Sequence, residues 1–369
     1  MRTGPALLVA LCSLVLLAGC WDVRDVNNMA FAVTMGIDLP NDPRTAKYKV
    51  TLEFPKPTAH HPTPQSLVAS GDGNSVAQAI EQIQAGISRT ISFSHLRVLI
   101  VGEAIARRES FNDISNFLMK EPEVALRLRL LFTKGYEAQK LFFVRPRYSG
   151  MLATELVAMF DTQEQFALVR TNHFFRFWSN LKRNHGVAMA QRLLLADSDK
   201  TMISEGAAIY KNWKLDSWLS GVETEGANWL LEQNQVIIVA KEGPNSYTYR
   251  VTKLKTTITP HLKAGKISFA VKVAINGMVI EEAGKAVDLS RDGNLKHLGK
   301  LFSRLIQRQI KAAVHKSQQE LRSDYLGFGE VFKQNRPRDF ERYDWERVYP
   351  SVPIDVEVTA NVSSSGLQT

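Results

Sequence analysis

A cysteine at position 20 closes an apolar stretch that begins at Ala6 and ends in Leu17-Ala18-Gly19. A lone thiol in that place is a handle for lipid. The remaining candidates for chemistry are weaker. His60 and His61 are adjacent on a proline-rich segment, so they point to opposite sides, and no Cys, Asp or Glu stands within four residues to complete a metal site. Gly327-Phe328-Gly329 lacks the third glycine and the preceding strand of a dinucleotide site, and Asp288 to Asn294 lacks the ligand spacing and terminal Glu of a calcium loop; both read as structural turns. His95 beside an apolar run reads as a satisfied core or edge residue. No Gly-x-Ser-x-Gly, Walker loop, His-Glu-x-x-His or Cys-x-x-Cys is present. Neither catalytic residues nor a metal or other cofactor are expected.

The stretch from Ala6 to Ala18 has 13 residues, with only Cys12 and Ser13 breaking its aliphatic character. That is short of the roughly 20 residues that cross a hydrocarbon core, and with Arg2 ahead of it the stretch reads as the h-region of a signal peptide. The small residues before Cys20 resemble a bacterial lipoprotein signal. In such signals the cysteine sulfur takes a diacylglyceryl group, and cleavage makes the cysteine the first residue of the mature chain. Two acyl chains hold a protein stably where one would not. The alternatives are an ordinary secretory signal with Cys20 incidental, or a short uncleaved anchor. Removing residues 1–19 takes one of the two cysteines and one arginine, which leaves no disulfide and turns the net charge of +9 into +8. An exported body of that charge suits an anionic surface or acidic partner, and nucleic acid is not an expected partner.

The elements that carry these residues follow from pattern. Met29 to Asp38 and Tyr48 to Phe54 flank the turn signal Asn41-Asp42-Pro43 and predict a hairpin. Pro55 to Asn74, with four prolines and Gly71-Asp72-Gly73, reads as a long mobile excursion. Val76, Ile80, Ile83 and Ile87 predict a helix capped by Asn74 or Ser75, and His95 to Val101 predicts a buried strand. Helices are expected near Glu103 to Arg107, Phe111 to Met119, Ser149 to Phe160 and His173 to Asn184, and Val187 to Leu195 is an apolar run. Leu126, Leu128 and Leu130 alternate with Arg127 and Arg129 as a half-exposed strand whose arginines face water. The polar cluster Asp197 to Lys200 reads as a boundary, which gives a signal over 1–19, an N-terminal α+β region over 20–200 and a C-terminal α+β domain over 201–369. The second domain is expected to hold an antiparallel sheet from strands at Ala207 to Tyr210, Leu215 to Leu219, Val236 to Ala240, Tyr247 to Thr259 and Ile267 to Ile275, with a helix at Thr224 to Leu231. The fold class is therefore multidomain α+β, with mixed and antiparallel sheets flanked by helices.

Leu295 to Leu321 is the most regular stretch and predicts one long helix of roughly 40 Å, with Leu298, Leu301, Phe302, Leu305, Ile306, Ile310 and Val314 on one face. Lys296, Lys300, Arg304, Arg308, Lys311 and His315 or Lys316 form a basic ridge opposite. Either it contacts anionic headgroups or an acidic partner, or it is the solvated outer face of a packed helix.

Cys20-Trp21-Asp22-Val23-Arg24-Asp25-Val26-Asn27, followed by Gly36-Ile37-Asp38, resembles the mature start of the C subunits of spore-germination receptors, the Ger(x)C family. The resemblance continues through His95-Leu96-Arg97-Val98, Gly102-Glu103, Glu121-Pro122-Glu123, Gly206 to Ile209, Trp218-Leu219, Glu223-Thr224, Gly226 and Trp229-Leu230 to Asp324, Gly327 to Gly329, Trp345, Val352 to Val358 and Gly366. It departs at Lys120, where arginine is expected, and in the Pro/His loop. The resemblance implies a lipoprotein on the outer face of the spore's inner membrane, working with a nutrient-sensing and a transporter-like integral-membrane subunit. It also implies α+β domains with a long helix in the last. A solute-binding lipoprotein of a transporter is the alternative, and it would need two similar doubly wound lobes, of which the sequence shows no duplicated βαβ halves.

Overall fold

The computed structural model describes residues 26–56, 65–146, 148–163, 173–196, 201–231, 237–284, 288–289 and 291–363. Cys20 and the apolar stretch before it, His60-His61, the cluster Asp197 to Lys200 and Gly366 lie outside the described residues.

The first half runs β1 (Met29–Phe31), β2 (Thr34–Asp38), β3 (Tyr48–Lys56), β4 (Gln65–Gly73), α1 (Val76–Ala85), β5 (Thr90–Ser92), β6 (Val98–Val101), α2 (Glu103–Arg108), α3 (Phe111–Lys120) and β7 (Arg129–Thr133). It continues with α4 (Ala138–Leu141), α5 (Leu152–Gln163), α6 (Phe174–Arg183), β8 (Ala188–Ala196), β9 (Thr201–Lys211) and β10 (Lys214–Leu219). Eight strands form a mixed sheet in the order β10-β9-β8-β7-β6-β2-β3-β4, while β1 and β5 pair separately. Strands β2, β6, β7 and β8 are parallel, and both flanks are antiparallel. Helices cover both faces, so the central strands are apolar without alternation. In β6, Leu99 and Val101 enter one core while Val98 and Ile100 enter the other.

Two expectations are corrected here. The half-exposed strand at Leu126 to Leu130 is β7, which starts only at Arg129 and is buried from Leu130 to Thr133, because it lies between β6 and β8 rather than at an edge. Of the excursion expected from Pro55 to Asn74, residues 57–64 lie outside the described residues, and Gln65–Gly73 is β4, paired with β3 over nine residues. Its glycines admit a helix rather than make a turn: a Cβ at Gly71 would stand 2.4 Å from the Ala79 carbonyl oxygen of α1. The predicted hairpin is β2–β3, and Ser75 caps α1 by accepting from the Gln78 amide.

The second half comprises α7 (Gly221–Leu230), β11 (Ile237–Glu242), β12 (Asn245–Lys263), β13 (Lys266–Ala283), α8 (Asp292–His315), α9 (Phe328–Asn335), α10 (Pro337–Phe340), α11 (Trp345–Val348) and β14 (Ile354–Ser363). Its sheet has the order β11-β12-β13-β14. The first three strands are antiparallel as expected, but β14 runs parallel to β13, because the chain crosses over through α8 before it returns. The strands expected at Ala207 to Tyr210 and Leu215 to Leu219 are β9 and β10 and belong to the eight-stranded sheet. Strand β9 nevertheless serves both halves. Ala208 and Tyr210 enter the first core, whereas Ala207 and Ile209 enter the second beside Leu298, Phe302 and Ile306 of α8.

The long helix also differs from its expected extent. After His315 it widens into a π-helical turn, Lys316–Glu320. That turn directs polar side chains inward: Ser317 hydrogen-bonds the Ser323 carbonyl and the Tyr349 hydroxyl, and the buried Gln318 amide donates to the Tyr349 and Val352 carbonyls. No helix among the described residues is long and apolar enough to cross a membrane.

Candidate functional site

Between the α6–β8 and β9–β10 turns on one side and residues 322–349 on the other lies a cleft of about 340 Å³. Its floor is built around Asp324. One carboxylate oxygen accepts the amides of Gly327 and Phe328 at 2.9 and 3.0 Å, and the other accepts the Gly329 amide at 2.6 Å and the Trp345 indole N–H at 2.9 Å. Burial pushes the Asp324 carboxyl up from its ordinary range, and the four donors oppose that. With both oxygens committed, Asp324 is a hub rather than a base. Trp345, Phe340, Tyr343 and Tyr349 line the cleft, and the hydroxyl of the buried Ser323 has no partner. Three non-glycine residues in left-handed backbone line it as well: His185 at φ +49°, Asn212 at +51° and Arg322 at +48°. Such conformations cost on the order of 1–3 kcal/mol each and persist only where the surroundings impose them.

A second convergence lies at the C-terminal ends of the parallel strands. The buried Asp38 ends β2 and accepts the Ala138 and Gln139 amides of α4 at 2.7 and 2.8 Å, and burial pushes its carboxyl up to about 6. Glu103, which follows β6, accepts the Trp218 indole N–H, the Gly135 amide and the Arg107 guanidinium, and these bonds hold its carboxyl below its ordinary range against the cost of burial. These acids tie β2, β6, β7 and β10 together, and with Arg107 they line a cavity of about 390 Å³.

The third feature is the ridge. Lys296, Lys300, Arg304, Arg308 and Lys311 are exposed on α8, whose opposite face is buried. A groove of about 980 Å³ runs between Lys296, Lys300 and Arg304 and β14.

The singled-out residues thus fall into three groups. Asp324, Gly327 to Gly329 and Trp345 meet at the cleft; Gly102-Glu103 and Trp218 meet beside Asp38; and Glu123 binds the Ser92 hydroxyl and Phe93 amide. His95 is an edge residue packed against Phe31 at 4.6 Å, and Arg129 pairs with Asp161 at 2.5 Å. Gly327, at φ +86°, heads α9 as a structural turn. Sequence reading missed Ser317, Gln318, Ser323 and the acceptor role of Asp38. Asp38 meets its donors 100 residues away, and nothing local signals that. Among the described residues no group of three His, Cys, Asp or Glu could hold a metal ion.

Two family models match the chain: one described as spore germination protein N-terminal domain over residues 22–193, and one as spore germination B3/GerAC like, C-terminal, over residues 205–366. Spore germination protein KC of Bacillus subtilis (strain 168) is 23% identical, with 98% of this chain and 95% of that protein covered. Spore germination protein B3 of the same organism is 21% identical over 99% of each. The crystal structure of the GerBC protein superposes with a TM-score of 0.61 at 18% identity, over 92% of this chain and 99% of that one, which is a likeness of fold.

Proposed function

The chain belongs to the GerAC-like family of spore germination proteins, and from that membership we propose that it is a membrane-anchored lipoprotein subunit of a nutrient germinant receptor. In this reading residues 1–19 are removed as a signal and Cys20 carries a diacylglyceryl group. The N-terminal region 20–200 and the C-terminal domain 201–369 then stand on the outer face of the spore's inner membrane. The partners are integral-membrane subunits, one nutrient-sensing and one transporter-like, and the contribution of this subunit is assembly, with no turnover and no cofactor. The observation that carries the reading is similarity through both halves to proteins named for spore germination. The commitment of Asp324, Glu103 and Glu123 to structural donors supports a binding role over a catalytic one.

Replacing Cys20 by alanine tests the proposal in spores. The variant is expected to leave the membrane fraction, and germination in response to nutrient is expected to slow. A variant that stays membrane-bound at the parent level while spores germinate at the parent rate sinks the reading.

A further inference from the structure

We infer that the α8 ridge and the groove beside it form a seat for the phosphodiester headgroups of an anionic bilayer, a step that rests on the proposed anchoring of the chain at such a surface. The ion pairs of this stretch belong to Arg291, His297, His315 and Lys316. The five ridge cations therefore have no carboxylate partner among the described residues. From Lys296 to Lys311 the helix rises about 22 Å, and the spacing of four, four, four and three residues spreads the five charges over about 120° of its circumference, so they form one broad positive face turned toward a surface. The groove beside that face is lined by Lys296, Lys300 and Arg304 on α8 and by residues 358–362 of β14.

Two observations favour a bilayer over an acidic protein segment. A strand added to β14, the edge of its sheet, would need the outward backbone groups of β14. Side chains of α8 already cover them: Ser303 Oγ accepts the Ala360 amide at 2.9 Å, and the Gln307 amide donates to the Val356 carbonyl at 2.6 Å. A protein interface also gathers an apolar centre, and none of the large exposed apolar side chains lies on α8 or β14. What remains is a strip of positive charge with polar flanks, which complements headgroup phosphates. It lays α8 along the membrane and turns Lys253 and Lys255, on the far face of the sheet, away from it.

Amine acetylation read by mass spectrometry tests this on the full-length acylated protein in phosphatidylcholine vesicles with and without phosphatidylglycerol. Modification of Lys296, Lys300 and Lys311 is expected to slow at least about five-fold with the anionic lipid, to recover in high salt, and to leave Lys253 and Lys255 unchanged. The triple variant Lys300→Glu, Arg304→Glu, Arg308→Glu is expected to keep its far-ultraviolet circular dichroism and lose protection at Lys296 and Lys311. Equal reactivity in both vesicles overturns the inference, as does protection that requires an added membrane subunit rather than lipid. A chain that acquires no lipid and stays off the phosphatidylcholine vesicles defeats the anchoring instead. The ridge is then read by sedimentation of that same chain with phosphatidylglycerol vesicles, and absence of sedimentation overturns it.

Discussion

Asp38 couples the first half of the molecule to pH. Its folded value of about 6 lies above the 3.8 of an unburied aspartate, because burial outweighs the two amide donors. Below about pH 4 both states hold the proton. Between about pH 4 and 6 only the folded state does, and above that range the full cost of a buried carboxylate falls on the fold. The contribution of Asp38 to unfolding free energy thus declines by up to about 3 kcal/mol as pH rises across that window. In Asp38→Asn the decline is absent, so the difference between parent and variant in urea unfolding should move by about 2 kcal/mol toward the variant between pH 4.5 and 7. A constant difference refutes the assignment. Asp324 answers to a different test, because truncation orphans three amides and an indole N–H at once. Asp324→Ala should lose about 3 kcal/mol or more of stability by chemical denaturation, and Asp324→Asn clearly less, since one acceptor oxygen remains. Asp324, Gly327, Gly329 and Trp345 were legible as a set from the family resemblance alone; their meeting on one carboxylate was not, because Trp345 lies 21 residues along.

Helix α7 meets α8 at a point that tolerates no side chain. A Cβ on Gly226 would stand 2.0 Å from the Gln309 carbonyl oxygen, and the neighbouring Trp229 indole donates to the Gln309 side chain at 2.8 Å. Gly226→Val should therefore force the helices apart and cost about 2–3 kcal/mol, visible as a lowered denaturation midpoint; an unchanged midpoint would show that the contact is looser than this geometry. The amphipathic helices were readable because one buried stripe repeats at 3.6 residues, as Leu298, Phe302, Ile306 and Ile310 do in α8. Strand β4 was not, since its Gly71 and Gly73 carry a turn signature while in fact making room for α1. The start of β7 was misplaced for the complementary reason: alternation of Leu and Arg describes a strand with one wet face, whereas β7 is sealed on both. The π turn at Lys316–Glu320 follows from the polar partners of Ser317 and Gln318, which lie up to 34 residues downstream and leave no local mark.

The two larger sheets among the described residues differ in strand number, order and direction, so they are not the paired similar lobes that close on a solute. The expected second sheet included the two strands that follow residue 200, but β9 and β10 extend the first sheet instead, because the small residues of Gly206 to Ile209 suit burial against either neighbour. Since β9 contributes alternate residues to both cores, heating is expected to produce one cooperative transition by calorimetry, with matching calorimetric and van't Hoff enthalpies. Two resolved transitions would mean that the cores melt separately. A strand that is a wall of two cores at once also has a mechanical meaning. Its backbone is a wall of both packed bodies, so a load on either passes to the other through β9 itself rather than across a linker.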